Sequence, residues 1–204
     1  MKEHLDAHFP PGEDRYYSDP GYNLLGLIIE AITGQRYHDA LHEYLFTPLG
    51  MDHSFLPPFS SPAKTSDWPV APSYIGEERL DITEHPSFGG FFACGQTVNT
   101  SEDLLAFLRA LVSNEIVNES SLETMQQWSK LERGVDYGQG LQRVRFVPLM
   151  RRYHSWGHFG FVGAFMLYNP TRDLYLIGNF NQSTFERKSG RFAFSILRQL
   201  SSLP

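Results

Sequence analysis

From Gly21 to Thr33 the chain carries apolar side chains at Tyr22, Leu24, Leu25, Leu27, Ile28, Ile29 and Ile32, nearly all round a helical wheel. A helix without a polar face predicts burial on every side. Asp19 is placed to cap it, Pro20 suits the first helical position, and Gly34 closes it. A second helix is predicted from about Tyr37 to Phe46, with Tyr37, Leu41, Tyr44 and Leu45 on one face, stopping at Pro48-Leu49-Gly50. The proline-rich segment from Phe55 to Pro72 reads as an extended surface loop, and Gly89-Gly90 as a further irregular stretch. Thr100 and Asp103 have the spacing of a capping box, ahead of Leu104, Leu105, Phe107, Leu108 and Leu111 at helical intervals. A shorter helix is predicted from Ser121 to Lys130.

After Gly138 the period changes. Leu141, Val144 and Phe146 lie in a strand-like run, and Phe161 to Tyr168 is apolar enough for a central strand. Asn169-Pro170-Thr171-Arg172-Asp173 predicts a tight turn, with Leu174 to Phe180 returning antiparallel. Phe185 to Leu200 closes the chain as an amphipathic helix that packs Phe192, Ile196, Leu197 and Leu200 on the sheet. The expected class is α+β, with a mainly helical region over about 14–135. An antiparallel meander of three strands and a covering C-terminal helix follow over about 136–204.

Length and composition narrow this picture. A chain of 204 residues that is 41% hydrophobic and 20% charged fits one folded domain with a sizeable core. A net charge of −6, with Lys and Arg scattered apart from Arg151-Arg152, argues against a nucleic-acid partner. Cys94 is the sole cysteine, so no intrachain disulfide forms; between Ala93 and Gly95 it reads as a small buried side chain. The polar Met1 to His8 stretch has no signal-peptide core, and no run reaches the ~18 apolar residues of a membrane span. As written, the chain is expected to be cytoplasmic.

Candidate chemistry gathers in two places. Tyr17-Ser18-Asp19 follows the turn Phe9-Pro10-Pro11-Gly12-Glu13-Asp14 and opens the first helix; Gly157-His158-Phe159-Gly160 through Gly163 opens a strand. Alone, Tyr17 is an aromatic at a helix start and His158 an ordinary strand-end residue. Together they gain weight from Gly21-Tyr22-Asn23-Leu24-Leu25-Gly26, Ile28-Ile29-Glu30 with Thr33-Gly34, Pro48-Leu49-Gly50-Met51 and Thr100-Ser101-Glu102-Asp103-Leu104. In this order and spacing the chain resembles the β-lactamase-related serine hydrolases, which include class C β-lactamases, D-Ala-D-Ala peptidases and related esterases.

The resemblance implies a partial β-lactamase/transpeptidase-like fold acting on a small-molecule or peptide substrate, without a cofactor. It assigns Tyr17 as the catalytic tyrosine, whose phenolate, held by neighbouring cations, takes and returns the nucleophile's proton. Asp19 stands where the family most often has Asn, and an ionised Asp only accepts hydrogen bonds. His158 would bond near the tyrosine and tune its charge. Gly160 would let substrate lie along the strand edge, and the Phe161 N–H would form half of an oxyanion hole. The nucleophile box, a serine with a lysine three residues on, should precede the tyrosine, yet none of the sixteen residues before Tyr17 is a serine.

Ser61 and Lys64 have that spacing, but in a proline-rich stretch after the tyrosine with no apolar helix behind them, which marks them as a decoy. His4/His8, His38/His42 and His154/His158 are each four apart, but no zinc-protease glutamate accompanies them and no metal is predicted. The residues thus point to the C-terminal portion of a serine hydrolase, inactive or nearly so alone, with a non-catalytic ligand-binding module as the competing class. Either way the sheet should carry an unpaired edge and an uncovered apolar patch, inviting a complementing chain or a homo-oligomer.

Overall fold

The computed structural model describes residues 9–10, 12–14, 16–83 and 92–201. Gly89-Gly90, the pair His4/His8, and Pro11 of the early turn lie outside the described residues.

Helix α1 (Asp19–Thr33) starts on Ser18, not Asp19. Ser18 is extended (φ −149°, ψ 112°) and its Oγ accepts the Gly21 N–H at 3.2 Å, satisfying one orphan donor of the first turn. Asp19 thereby becomes the first helical residue, its carboxylate released from capping duty. At the other end Gly34 takes φ 70° and donates its N–H to Glu30 O at 2.9 Å. The predicted burial of α1 is not found: only Gly26 is buried, Leu24, Leu25, Leu27 and Ile28 are more than half exposed, and Ile32 is 79% exposed. Apolar composition states what a helix would gain from cover, not whether cover is present.

The second helix is α2 (Tyr37–Leu41), which widens into a π-helical turn over His42–Phe46, where Thr47 N–H bonds to His42 O at 2.9 Å. The proline-rich loop is followed by a small hairpin, β1 (Ser73–Ile75) and β2 (Glu78–Leu80). Helix α3 (Ser101–Val112) is capped by Thr100, whose Oγ1 accepts Asp103 N–H at 3.1 Å. The capping box is only half made. Asp103 is buried and accepts instead from Ser54 Oγ at 2.8 Å and His53 N at 3.0 Å, pinning the loop to the helix. Helix α4 (Glu119–Met125) is shorter than predicted, so Lys130 falls in a strand.

The sheet has six strands rather than three. Strands β3 (Ser129–Glu132), β4 (Val135–Tyr137), β5 (Gln142–Arg145), β6 (His154–Phe159), β7 (Phe165–Asn169) and β8 (Leu174–Gly178) form one antiparallel meander in sequence order. The predicted Phe161–Tyr168 strand holds from Phe165 onward and is corrected before it, where 161–164 belong to a turn. Gly160 donates to Ala164 O at 2.9 Å and Gly163 to Gly160 O at 3.1 Å, so residues 160–164 turn the chain between β6 and β7. Gly163 at φ 77° permits the turn, which an apolar run by itself does not reveal.

Helices cover both faces. Helix α5 (Glu186–Leu200) lays Ala193 and Leu197 on Phe165, Leu167 and Leu176, while Phe192 and Leu200, expected to pack, are 47% and 37% exposed. On the other face α3 and α4 place Leu108, Leu111 and Leu122 against Leu141 and Trp156. Complete burial of Leu167 or Leu197 contributes about 1.5–3 kcal/mol each. The strand alternation follows: on β7, Phe165 and Leu167 meet α5, and Met166 and Tyr168 meet the opposite cluster. Among the described residues β8 pairs with β7 alone, leaving its outer edge unpaired.

Candidate active site

The cap on Ser18 fixes where Tyr17 stands, immediately before α1, with its ring directed to the sheet margin. His158 lies two residues beyond Trp156 on β6 and so shares its face, toward the helices. The two side chains, remote in sequence, meet with ring centroids 6.3 Å apart. Two further rings complete the group. Tyr137, ending β4, sits edge-on to Tyr17 (5.6 Å) and to His158 (6.2 Å), and Tyr22 lies 6.0 Å from Tyr17. The Tyr22 and Tyr137 hydroxyls are hydrogen bonded to each other, joining the first turn of α1 to β4. Strand β4 is itself anchored by buried Asp136, which accepts from Arg143 Nη2 at 2.7 Å and Arg145 Nη2 at 3.1 Å.

The protonation states follow from these neighbours. His158 Nδ1 lies 2.7 Å from Phe159 O, so Nδ1 carries the proton and Nε2 is left as an acceptor. Burial pushes the imidazole below its ordinary range, only partly opposed by that bond, and it is neutral at pH 7. Tyr17 is displaced in the direction opposite to that implied by the family resemblance. Burial, then the charge of Asp19, then a hydrogen bond to the Asp19 carboxylate push its phenol up to about 12. Among the described residues no cation figures in the groups that shift it. Tyr17 in this state is a proton-bearing donor at pH 7, not a phenolate.

The other candidate residues are placed as follows. Asp19 is exposed beside Tyr17. Gly160 directly follows β6 and opens the turn, and a Cβ there would press on the Ala164 Cβ at 3.2 Å. Phe161 is 57% exposed in the hairpin turn. Ser61 is exposed on a non-helical stretch, and Lys64 is ion-paired to Asp52 and does not share a helical face with Ser61. Cys94 is half-buried, more open than its composition suggested, and burial together with Asp19 raises its thiol. It is brought near α1 because Asn23 Oδ1 accepts the Ala93 N–H at 2.9 Å and because Gly26 leaves room, its absent Cβ falling 2.4 Å from the Ala93 Cβ. Sequence reasoning missed Tyr22 and Tyr137; their pairing spans 115 positions and leaves no local pattern.

Beside this group opens a cleft of about 780 Å³, walled by Tyr16, Tyr17, Tyr22, Leu25, Met125 and Tyr137 among others. A family model for beta-lactamase matches residues 3–197. The chain belongs to the beta-lactamase family. Among curated relatives of this beta-lactamase-family chain, Penicillin-binding protein 4 of Amycolatopsis lactamdurans is 29% identical over 177 residues, 76% of this chain and 43% of that protein. A D-stereospecific amidohydrolase from Streptomyces sp. superposes with a TM-score of 0.72 at 25% identity, covering 93% of this chain and 57% of that one. An octameric penicillin-binding protein homologue from Pyrococcus abyssi gives 0.76 at 25% identity, over 95% and 44%. The chain thus spans less than two thirds of each. Among the described residues no helix is long and apolar enough to cross a membrane.

Proposed function

We propose that these 204 residues form one incomplete domain, the C-terminal part of a serine hydrolase that cleaves ester, amide or D-amino-acid peptide bonds through an acyl-enzyme. The observation that carries this reading is the meeting of Tyr17 and His158 at 6.3 Å beside the sheet margin. In it Tyr17 relays the nucleophile's proton to the leaving group, and His158, with Nε2 open, adjusts the phenol. Gly160 keeps the substrate path clear, and the Phe161 N–H serves as one oxyanion donor. A Ser-x-x-Lys segment from outside these residues, on the same polypeptide or a second chain, supplies the nucleophile and covers α1. A homo-oligomer is the other means of hiding the free edge. Without the nucleophile, residual acceleration is on the order of 10³-fold at best.

A second reading, a non-catalytic binding module, is favoured by the Tyr17 phenol itself, which at about 12 holds its proton at neutral pH. Fluorescent penicillin and a fluorophosphonate, followed by intact mass, test both. The chain alone is expected to show no mass gain, and a partner carrying Ser-x-x-Lys to be labelled on that serine once bound. Saturable binding without labelling in the completed protein selects the binding module. Labelling at Ser61 overturns the assignment of the nucleophile, and absence of both labelling and binding overturns both readings.

A further inference from the structure

Strand β8 is the apolar end of the meander, and among the described residues its outer edge is unpaired. The open stretch is short. Past Asn179 the chain turns, with Asn181 at φ 52° and its carbonyl taken by the Tyr74 N–H at 2.7 Å. Beside the edge, against α5, lies a cavity of about 330 Å³ walled by Phe165, Gly178, Phe180, Phe192 and Ile196. Gly178 leaves a hole there because a Cβ would lie 2.6 Å from the Phe165 ring. Alternation puts Leu174, Leu176 and Gly178 on the α5 face and Tyr175 and Ile177 on the other, while Asp173 and Asn179 flank the strand at its two ends.

We propose that β8 is the docking edge for a second copy of this chain, paired antiparallel across a two-fold axis through Leu176. Such an axis sets each residue against a fixed mate, so a strand pairs with itself only if its two halves suit each other. Centred on Leu176, Tyr175 stands opposite Ile177, an aromatic and a β-branched side chain, and Leu174 stands opposite Gly178. The Leu174 side chain of each copy then enters the hole that the other leaves at Gly178. At the ends Asp173 meets Asn179, twice. Asn179 Oδ1 accepts the Asn181 N–H at 2.9 Å, so its amide nitrogen is the end left to donate to a carboxylate. Other registers fit less well. An axis through Tyr175 sets Asp173 against Ile177, and one through Ile177 sets Leu174 against Phe180 and runs the pairing into Asn181, whose carbonyl is occupied. The β8 cavity shares no wall residue with the Tyr17 cleft, so this pairing does not depend on what that cleft does.

Sedimentation equilibrium of the 204-residue chain is expected to give a dimer of twice 23.3 kDa. Pairing through one short strand is a small interface, so its Kd should be on the order of 10 μM. Asn179→Asp keeps an oxygen for the Asn181 N–H yet sets carboxylate against carboxylate at both ends. At low salt it should weaken the dimer about tenfold. Adding Asp173→Asn restores one carboxylate and one amide per contact, so the double variant should regain the parent affinity. Register is read by crosslinking in a Cys94→Ser background. Directly opposed residues have Cα atoms about 4.5–5.5 Å apart, within disulfide reach, so Leu176→Cys should oxidise to a covalent dimer and Tyr175→Cys should not. Circular dichroism checks the fold of each variant, and the charge exchange at Asp173 and Asn179 stands as a test even if Leu176→Cys does not fold. A monomer at every concentration, or association that Asn179→Asp leaves untouched, overturns the proposal. Crosslinking through Tyr175→Cys in place of Leu176→Cys overturns the register. Displacement of the second copy by a partner carrying Ser-x-x-Lys assigns the edge to that partner and overturns self-pairing as its use.

Discussion

Removing the charge at Asp19 while keeping its shape should loosen the proton on Tyr17. The phenol stands at about 12 against an ordinary 10.0, with burial the largest cause and Asp19 next, through charge and through a hydrogen bond. Tyr17 is 37% exposed, so water-like screening is the appropriate limit. A unit charge at about 4 Å is then worth about 1 kcal/mol, or about 0.7 pH units. Asp19→Asn should therefore lower the midpoint by about that amount or somewhat more, as the hydrogen bond to the carboxylate goes too, and leave it above the ordinary value because burial, the largest cause, persists. Tyrosinate absorbance, taken as the difference between each protein and its Tyr17→Phe counterpart, isolates this phenol from the other tyrosines. Circular dichroism recorded in parallel marks the range over which the chain stays folded. The linkage has a definite sign. A phenol raised on folding contributes stability that is intact below pH 10 and is lost as pH climbs toward 12, so Tyr17→Phe should flatten that decline. A Tyr17 midpoint near 10.0, or one that rises in Asp19→Asn, refutes the reasoning.

His158 works in the opposite sense. Burial lowers it, so below about pH 6.5 the unfolded chain takes the proton first and stability falls with acidification; melting curves between pH 7.5 and 5 should flatten in His158→Gln. Gly157→Ala should cost at least about 2 kcal/mol, since φ is 152° and an added Cβ would lie 1.9 Å from Met166 O in the β6–β7 pairing; an unchanged denaturation midpoint would contradict that geometry. Ile32→Glu, by contrast, should shift stability by no more than about 0.5 kcal/mol because the side chain is 79% exposed, and a loss of several kcal/mol on chemical denaturation would show that α1 is covered in solution.

What the amino-acid order disclosed, and what it withheld, follows from the range of each interaction. Caps and turns are local, so Gly34, the Thr100 cap and the Asn169–Asp173 turn were readable, although the α1 cap shifted by one residue to Ser18. Strands β3 and β4, Ser-Lys-Leu-Glu and Val-Asp-Tyr, are too short and polar for periodicity to register, and they form because β5 is there to pair with. Strand β6 hides its register behind two histidines and a glycine. Tyr17 and His158 were legible through their flanking motifs. Their protonation was not, because it depends on which charges are nearby in space, and Asp19 acts on the phenol with no offsetting cation among the described residues. Tyr137 was invisible for the same reason: its role is defined by partners on α1 and β6.

The meander ends in two unlike rims, β3 and β8, and this dictates the geometry of any growth by strand addition. Joining β8 to β8 of a second copy is a self-complementary, two-fold operation that consumes both apolar rims and closes. Joining β8 to β3 is head-to-tail: each step leaves one fresh rim exposed, and nothing terminates the array. Were copies to add strands, the polar Lys130 and Glu132 on β3 would weigh against the second course and favour finite particles over filaments.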